Sequence, residues 1–204
     1  MTQPPKLFLE QLELGPMQNQ LYIVADTSTK QAFLVDPAWD VPHLLKRIET
    51  LGFHLMGVLL THGHHDHTNG IPKLLELYPT LPIYISHHEL EVLKPKTKNL
   101  IFLLDQQLIM LGNLEITCIH TPGHSPGGLC FWIEDSLIVG DTLFINSCGR
   151  TDLPGSDPEI MQESFKKISK LPDHLTVYPG HRYHPKLSDS LGNQKKTNRH
   201  LVGL

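Results

Sequence analysis

Between positions 61 and 67 the chain reads Thr-His-Gly-His-His-Asp-His, and no other segment limits so strongly what the chain can fold into. Five ionisable side chains fall within six positions at the end of Met56 to Thr61, an apolar run of strand length. Imidazoles and a carboxylate crowded at one point compete for protons and water. A divalent cation removes that conflict by taking neutral imidazole nitrogen and carboxylate oxygen as ligands. If extended backbone persists past Thr61, alternation puts His62 and His64 on one face, about 6.6 Å apart along the chain. The turn that follows carries Asp66 and His67 towards a neighbouring ion. The plainer alternative is an exposed histidine-rich loop or a cloning remnant, but tags are runs at a terminus, whereas these residues are spaced and follow a strand.

Three further places repeat one layout, in which an apolar strand ends in a tight turn bearing a ligand-type side chain. Ile116 to Thr121 leads into Pro122-Gly123-His124, Leu137 to Gly140 into Asp141, and Leu175 to Tyr178 into Pro179-Gly180-His181. Strand ends on a rigid sheet are where sub-ångström placement is best achieved. Singly, each is a turn histidine or a capping aspartate. Their weight comes from joining the first cluster.

The remaining pattern is one of strands with interspersed helices. Leu7 to Leu14, Gln20 to Ala25 and Gln31 to Val35 read as a strand meander, with Gly-Pro, Asp-Thr-Ser and Asp-Pro punctuation. Asp40 caps a helix with Val41, Leu44, Leu45, Ile48 and Leu51 on one face and Gly52 after its end. A second helix is expected over Ile71 to Tyr78, with Pro72 in its first turn. Ile83 to Ser86, Leu108 to Leu111, Leu114 to His120, Leu129 to Ile133 and Leu137 to Val139 read as strands. A last helix from Pro158 to Ser169 puts Ile160, Met161, Ser164, Phe165 and Ile168 on one side. Helices with one apolar face each, among many strands, imply an α/β (α+β) chain with helices packed on sheets. No linker or repeat breaks residues 1–204, so one domain is expected.

Composition sets the partners. Lys and Arg number 17 against 21 Asp and Glu, a formal charge of -4, which disfavours a phosphate backbone as the main partner. No stretch of about 18 apolar residues suggests a membrane span, and Met1 to Glu10 lacks a leader pattern, so a cytoplasmic, non-membrane protein is expected. Cys118, Cys130 and Cys148 are odd in number and lack CxxC spacing, which fits a reducing compartment. Lys94 to Lys98 reads as a solvated basic loop, and the polar tail from Ser188 to Arg199 either frays or covers the site.

The stretches THGHHDHTNG, TPGHSPGG, VGDTLF and YPGH resemble, in that order, the metal-binding motifs of the metallo-β-lactamase superfamily. The resemblance implies a four-layer αββα sandwich, two mixed β-sheets with helices on the outer faces. It also implies two metal ions, with His62, His64 and His124 on the first, Asp66, His67 and His181 on the second, and Asp141 between them. The ions are expected to be zinc, with iron or manganese as alternatives. Asp66 is the expected acid-base assistant in attack by an activated water. GDTLFINSCGRTDLPGSDPE, PGHRYH and SLGNQKKTNRHL are similar to the glyoxalase II branch, which hydrolyses glutathione thioesters such as S-lactoylglutathione; the likeness is to short, single-domain members without the C-terminal helical glutathione-binding domain. Thr151 and Asp152 depart from the aromatic residues usual there. Lys186, Lys195, Lys196 and Arg199 are candidates to receive an anionic substrate, or simply solvated charges. Two other readings follow the same residues. A persulfide dioxygenase would hold one iron on His62, His124 and Asp141, and a non-catalytic metal-stabilised binding module would keep the fold with missing ligands or a closed coordination shell.

Overall fold

A computed structural model describes residues 6–89 and 99–204. The strands β1 Leu7–Leu14, β2 Asn19–Asp26 and β3 Gln31–Val35 form the expected meander, and α1 Val41–Thr50 starts at Asp40, whose side chain accepts from His43 N–H at 3.0 Å. Then come β4 His54–Leu59, a single turn α2 His65–Thr68, α3 Ile71–Leu77 and β5 Ile83–Ser86. After a 3-10 turn at His87–Glu89 follow β6 Leu100–Leu103, β7 Leu108–Leu111, β8 Leu114–His120, β9 Leu129–Ile133 and β10 Ser136–Gly140. The short hairpin β11 Leu143–Phe144 and β12 Ser147–Cys148, helix α4 Pro158–Ser169, β13 Thr176–Pro179, β14 Asp189–Ser190 and α5 Leu191–Thr197 complete the order.

Among the described residues two six-stranded sheets result, ordered β1-β2-β3-β4-β5-β6 and β14-β13-β10-β9-β8-β7. Both are mixed: β3, β4, β5 and β6 pair in parallel beside an antiparallel β1-β2-β3 meander, and β10 pairs in parallel with β13 but antiparallel with β9. Alternation along β2 explains the layering. Leu21, Ile23 and Ala25 point one way, into a core shared with Leu44 and Ile48 of α1 and Leu74 of α3. Tyr22 and Val24 point the other way, into a second core with Ile116, Cys118, Phe131 and Ile138 of the facing sheet. A third core packs Leu137, Val139 and Val177 against Met161, Phe165 and Ile168 of α4 and Leu191 of α5. Three apolar layers between four layers of elements make the αββα sandwich.

Several expectations shift in detail. The strand read from Met56 to Thr61 begins earlier, at His54, because Gln31 and His54 pair at the start of the parallel β3/β4 ladder, and it ends at Leu59. Ile160, read onto the apolar side of α4, is exposed, while Asp157 caps that helix through Glu159 and Ile160 N–H. Strand β6 and helix α5 were not anticipated. The basic run Lys94 to Lys98 lies outside the described residues. Among the described residues no helix is long and apolar enough to cross a membrane.

Candidate metal centre

The seven candidate residues follow the C-terminal ends of β4, β8, β10 and β13, and the fold brings all of them to one place. Parallel pairing of β10 with β13 sets Gly140 opposite Pro179, which puts Asp141 and His181 side by side. Gly180 N–H donates to Gly140 C=O at 2.8 Å, and a side chain at Gly180 would collide with Asp141 Oδ1, so only glycine lets these two turns close. From the other sheet, β4 delivers Thr61 and His62, and α2 turns Asp66 and His67 back towards them. The ring centroids of His62 and His67 are 4.2 Å apart, and those of His62 and His64 are 4.7 Å apart.

Two groups of possible ligand atoms converge, His62 with His64 and His124, and Asp66 with His67 and His181. Asp141 faces both, with Oδ2 at 3.4 Å from His124 Nε2 and 3.3 Å from His181 Nε2. A third convergent set, Asp36 with His62 and His67, is of a different kind, because the Asp36 oxygens are already taken. They accept from Thr61 N–H at 2.7 Å, Thr61 Oγ1 at 2.5 Å and His67 Nδ1 at 3.0 Å.

The partners assign the tautomers. His67 Nδ1–H donates to Asp36, His181 Nδ1–H donates to Met17 C=O at 2.9 Å, and His124 Nδ1–H donates to Arg150 C=O at 2.8 Å. Thr61 Oγ1 spends its proton on Asp36, so it accepts from His62 Nδ1–H at 3.0 Å. In each ring Nε2 is left bearing a lone pair. His62 Nε2 and Asp141 Oδ1 are buried without a hydrogen-bond partner, and His67 Nε2 meets His181 Nε2 at 3.1 Å, lone pair against lone pair. Only a proton or a cation between them relieves that arrangement.

The electrostatics agree. Burial, reinforced by His67 and His124, pushes His62 well below the usual imidazole range, and burial with His124 beside it lowers His64. Burial would also lower His67 and His181, but carboxylates win: Asp141 and Asp36 raise His67, and Asp141 with Asp66 raises His181 to about 10. Burial would raise Asp66 and Asp141, yet the histidines hold both well below the ordinary carboxylate range. A buried site this rich in nitrogen and oxygen donors, none of them sulfur, fits divalent cations such as zinc, iron or manganese.

The sequence reading missed the residues that support these seven. Asp36 ends an apolar strand as the four other turns do, at a positive φ of 50°, so the same signature marked it. Asn19 Nδ2 donates to Asp66 Oδ2 at 2.9 Å while its Oδ1 accepts from Trp39 Nε1 at 3.0 Å. Glu89, fully buried, accepts from Gly63 N–H at 3.1 Å and Gly127 N–H at 2.8 Å and so joins the two histidine turns. Neither had a local signal. The cleft above the centre, about 290 Å³, is walled by Met17, Phe144, Arg150, Leu153 and Tyr183. Two of the tail lysines are paired with neighbouring carboxylates, Lys195 with Asp173 at 2.5 Å and Lys186 with Asp189 at 3.4 Å.

Two adjacent His/Asp clusters on an αββα sandwich form the active site of a binuclear metallohydrolase of this fold, and the model of the metallo-beta-lactamase superfamily matches residues 14–181. The chain belongs to that superfamily. A Bacillus velezensis protein named "Probable polyketide biosynthesis zinc-dependent hydrolase BaeB" is 38% identical over 181 residues, covering 88% of this chain and 80% of that protein. The hydroxyacylglutathione hydrolase of Tolumonas auensis is 33% identical over 175 residues, 85% of this chain but 66% of its own length. The crystal structure of TTHA1623 in a di-iron-bound form superposes with a TM-score of 0.81 at 31% identity, covering 93% of this chain and 98% of that one. Within the superfamily, the chain falls in the glyoxalase II-like, hydroxyacylglutathione hydrolase-like branch.

Proposed function

We propose that residues 1–204 act as one metallo-β-lactamase-like domain that hydrolyses a small-molecule thioester, a glutathione thioester such as S-lactoylglutathione being the first candidate. The observation that carries this reading is the pair of buried, unpartnered acceptors, His62 Nε2 and Asp141 Oδ1, beside the opposed His67 and His181 nitrogens. His62, His64 and His124 would hold one ion, Asp66, His67 and His181 the other, and Asp141 would reach both. Divalent ions so held supply Lewis acidity and bring the pKa of water into the neutral range, which is what hydrolysis near pH 7 requires. The chain's own residues orient the ligands: Asp36, Met17 C=O and Arg150 C=O each fix one imidazole. Asp66, oriented by Asn19, is the group proposed to hold or move a proton beside the scissile bond.

Zinc is the proposed metal, in keeping with the name of the Bacillus relative, while the di-iron form of TTHA1623 makes iron the competitor. A reducing, cytoplasmic setting suits the free cysteines Cys118, Cys130 and Cys148. Thioesters enter through the glyoxalase II-like relatives, of whose length this chain spans about two thirds. Elemental analysis of the protein as isolated, run on the same sample as a thiol-release assay with S-lactoylglutathione, is the test. Two ions per chain with thioester cleavage support the reading; a single iron with oxygen consumption on a glutathione persulfide overturns it in favour of the dioxygenase.

A further inference from the structure

The polar tail neither frays nor covers the cleft. Residues Leu191–Thr197 form α5, and two of its polar side chains turn inward: Gln194, on the helix, and Asn198, just after it, are both fully buried. Burying two amides is costly unless each finds partners. Gln194 Nε2 donates to Asp189 Oδ2 at 2.9 Å and Asn198 Oδ1 accepts from His200 N–H at 3.1 Å, while the other end of each amide meets the turn of the β11–β12 hairpin. Gln194 Oε1 accepts from Asn146 N–H at 2.8 Å, and Asn198 Nδ2 donates to Phe144 C=O at 3.1 Å and Ser147 C=O at 3.0 Å. Thr197 Oγ1 adds a bond to Asn146 Oδ1 at 2.8 Å. Asn146 itself takes a positive φ of 59°, a left-handed conformation that asparagine adopts readily in tight turns.

The hairpin reaches the metal centre from both of its strands. Phe144 stands edge-on to His181, with ring centroids 5.9 Å apart. Beyond Cys148 the chain passes so close to the centre that a side chain at Gly149 would overlap Asp141 C=O and lie 2.9 Å from His124 Nδ1. One residue later, Arg150 C=O accepts the His124 Nδ1–H and so aims His124 Nε2 inward. By contrast, His67 and His181 take their fixing bonds from Asp36 and Met17 C=O, which are not partners of Gln194 or Asn198.

We propose that Gln194 and Asn198 are positioning residues for the His62/His64/His124 half of the centre, acting through the β11–β12 hairpin and the Arg150 carbonyl on the orientation of His124. This rests on the two-ion reading above. Its consequence is uneven: loss of the amides weakens the step at His124 far more than the step at His181, which the hairpin meets only through the edge of the Phe144 ring. Asn198→Asp, which directs a carboxylate at two carbonyl oxygens, does more damage than Asn198→Ala; lost packing volume alone predicts the opposite order.

The test titrates metal-free wild type, Asn198→Ala, Asn198→Asp and Gln194→Ala with zinc in competition with a chromophoric chelator, with Leu191→Ala as a control for simple loosening of α5. Wild type is expected to bind two ions in two steps. The Asn198 and Gln194 variants should weaken one step by about tenfold or more and leave the other within about twofold. Leu191→Ala should lower the melting temperature of the metal-free protein while keeping the ratio of the two affinities. An unchanged ratio in Asn198→Ala, or an equal change in Leu191→Ala, overturns the proposal, and Gln194→Ala decides it alone if the Asn198 variants do not fold. A wild type that takes up fewer than two ions refutes the two-ion reading instead. The strut is then judged in the metal-free protein by nitrogen-15 NMR, where the His124 Nδ1–H signal should be protected in wild type and lost in Asn198→Ala; retention of that signal in the variant counts against the strut.

Discussion

The two halves of the centre contain similar side chains but are supported differently. His67 leans on a buried carboxylate, Asp36, and is 1% exposed; Asp66 is gripped by Asn19, and His181 is tied to the main chain at Met17. In the other half His64 is only partly buried, His62 is held by a neutral hydroxyl, and His124 depends on a carbonyl at the foot of a two-stranded hairpin. A charged acceptor inside a low-dielectric interior holds an imidazole more firmly than a hydroxyl or carbonyl does. The difference teaches that residue type alone does not set the quality of a ligand. The expected consequence is that the Asp66/His67/His181 half fills first.

Replacing Asp141, the residue that faces both halves, should have the largest effect. Asp141→Ala is expected to reduce bound metal below two ions per chain and thioester hydrolysis by more than about 100-fold, beyond the range of supporting residues; retention of both ions would break the comparison by showing the halves independent of their shared carboxylate. Asp36→Ala comes next, since it strips His67 directly and His62 through Thr61. Both binding steps should weaken by about 10- to 100-fold, the tighter step more, as read by chelator competition. Thr61→Val removes only the acceptor for His62 Nδ1–H and one donor to Asp36. About tenfold weakening of the looser step, with the tighter one little changed, would sharpen the distinction, and equal weakening of both would erase it.

The smallest effect is expected outside both halves and serves as their reference. Asp26 is fully buried, and burial would raise its pKa, but Ser28, Asn113 and Thr29 donate to it and lower it to about 2. Because the folded value lies below the unfolded value near 3.9, its stabilisation is complete above about pH 4 and is lost as pH falls towards 2. Denaturant unfolding of the metal-free protein should show an acid loss in wild type to which Asp66 and Asp141 also contribute, and Asp26→Asn should make that loss smaller without altering either metal affinity.

Much of this architecture was visible locally. The helix capped at Asp40 and the helix opening at Pro158 carry apolar residues at helical spacing, β2 and β9 carry runs that can bury both faces, and β8 opens with the alternation of a half-buried strand. Leu100–Leu103 is as short and as apolar as Leu108–Leu111, so its pattern alone did not hide β6, whereas α5 escaped because its inward face is largely amide rather than apolar. Hydrophobic periodicity cannot report a helix anchored by Gln194 and Asn198.

By itself, the sequence determined which residue types could bind metal and that each follows a strand, since those facts depend on composition and on neighbours a few positions away. Tertiary structure alone decided which nitrogen of each histidine faces inward, that the Asp36 carboxylate is engaged by Thr61 and His67, and that the tail meets the hairpin beside His124. Those outcomes depend on contacts between positions such as 36 and 67, 124 and 150, or 144 and 198, whose meeting is set by how the sheets pack and not by any local pattern.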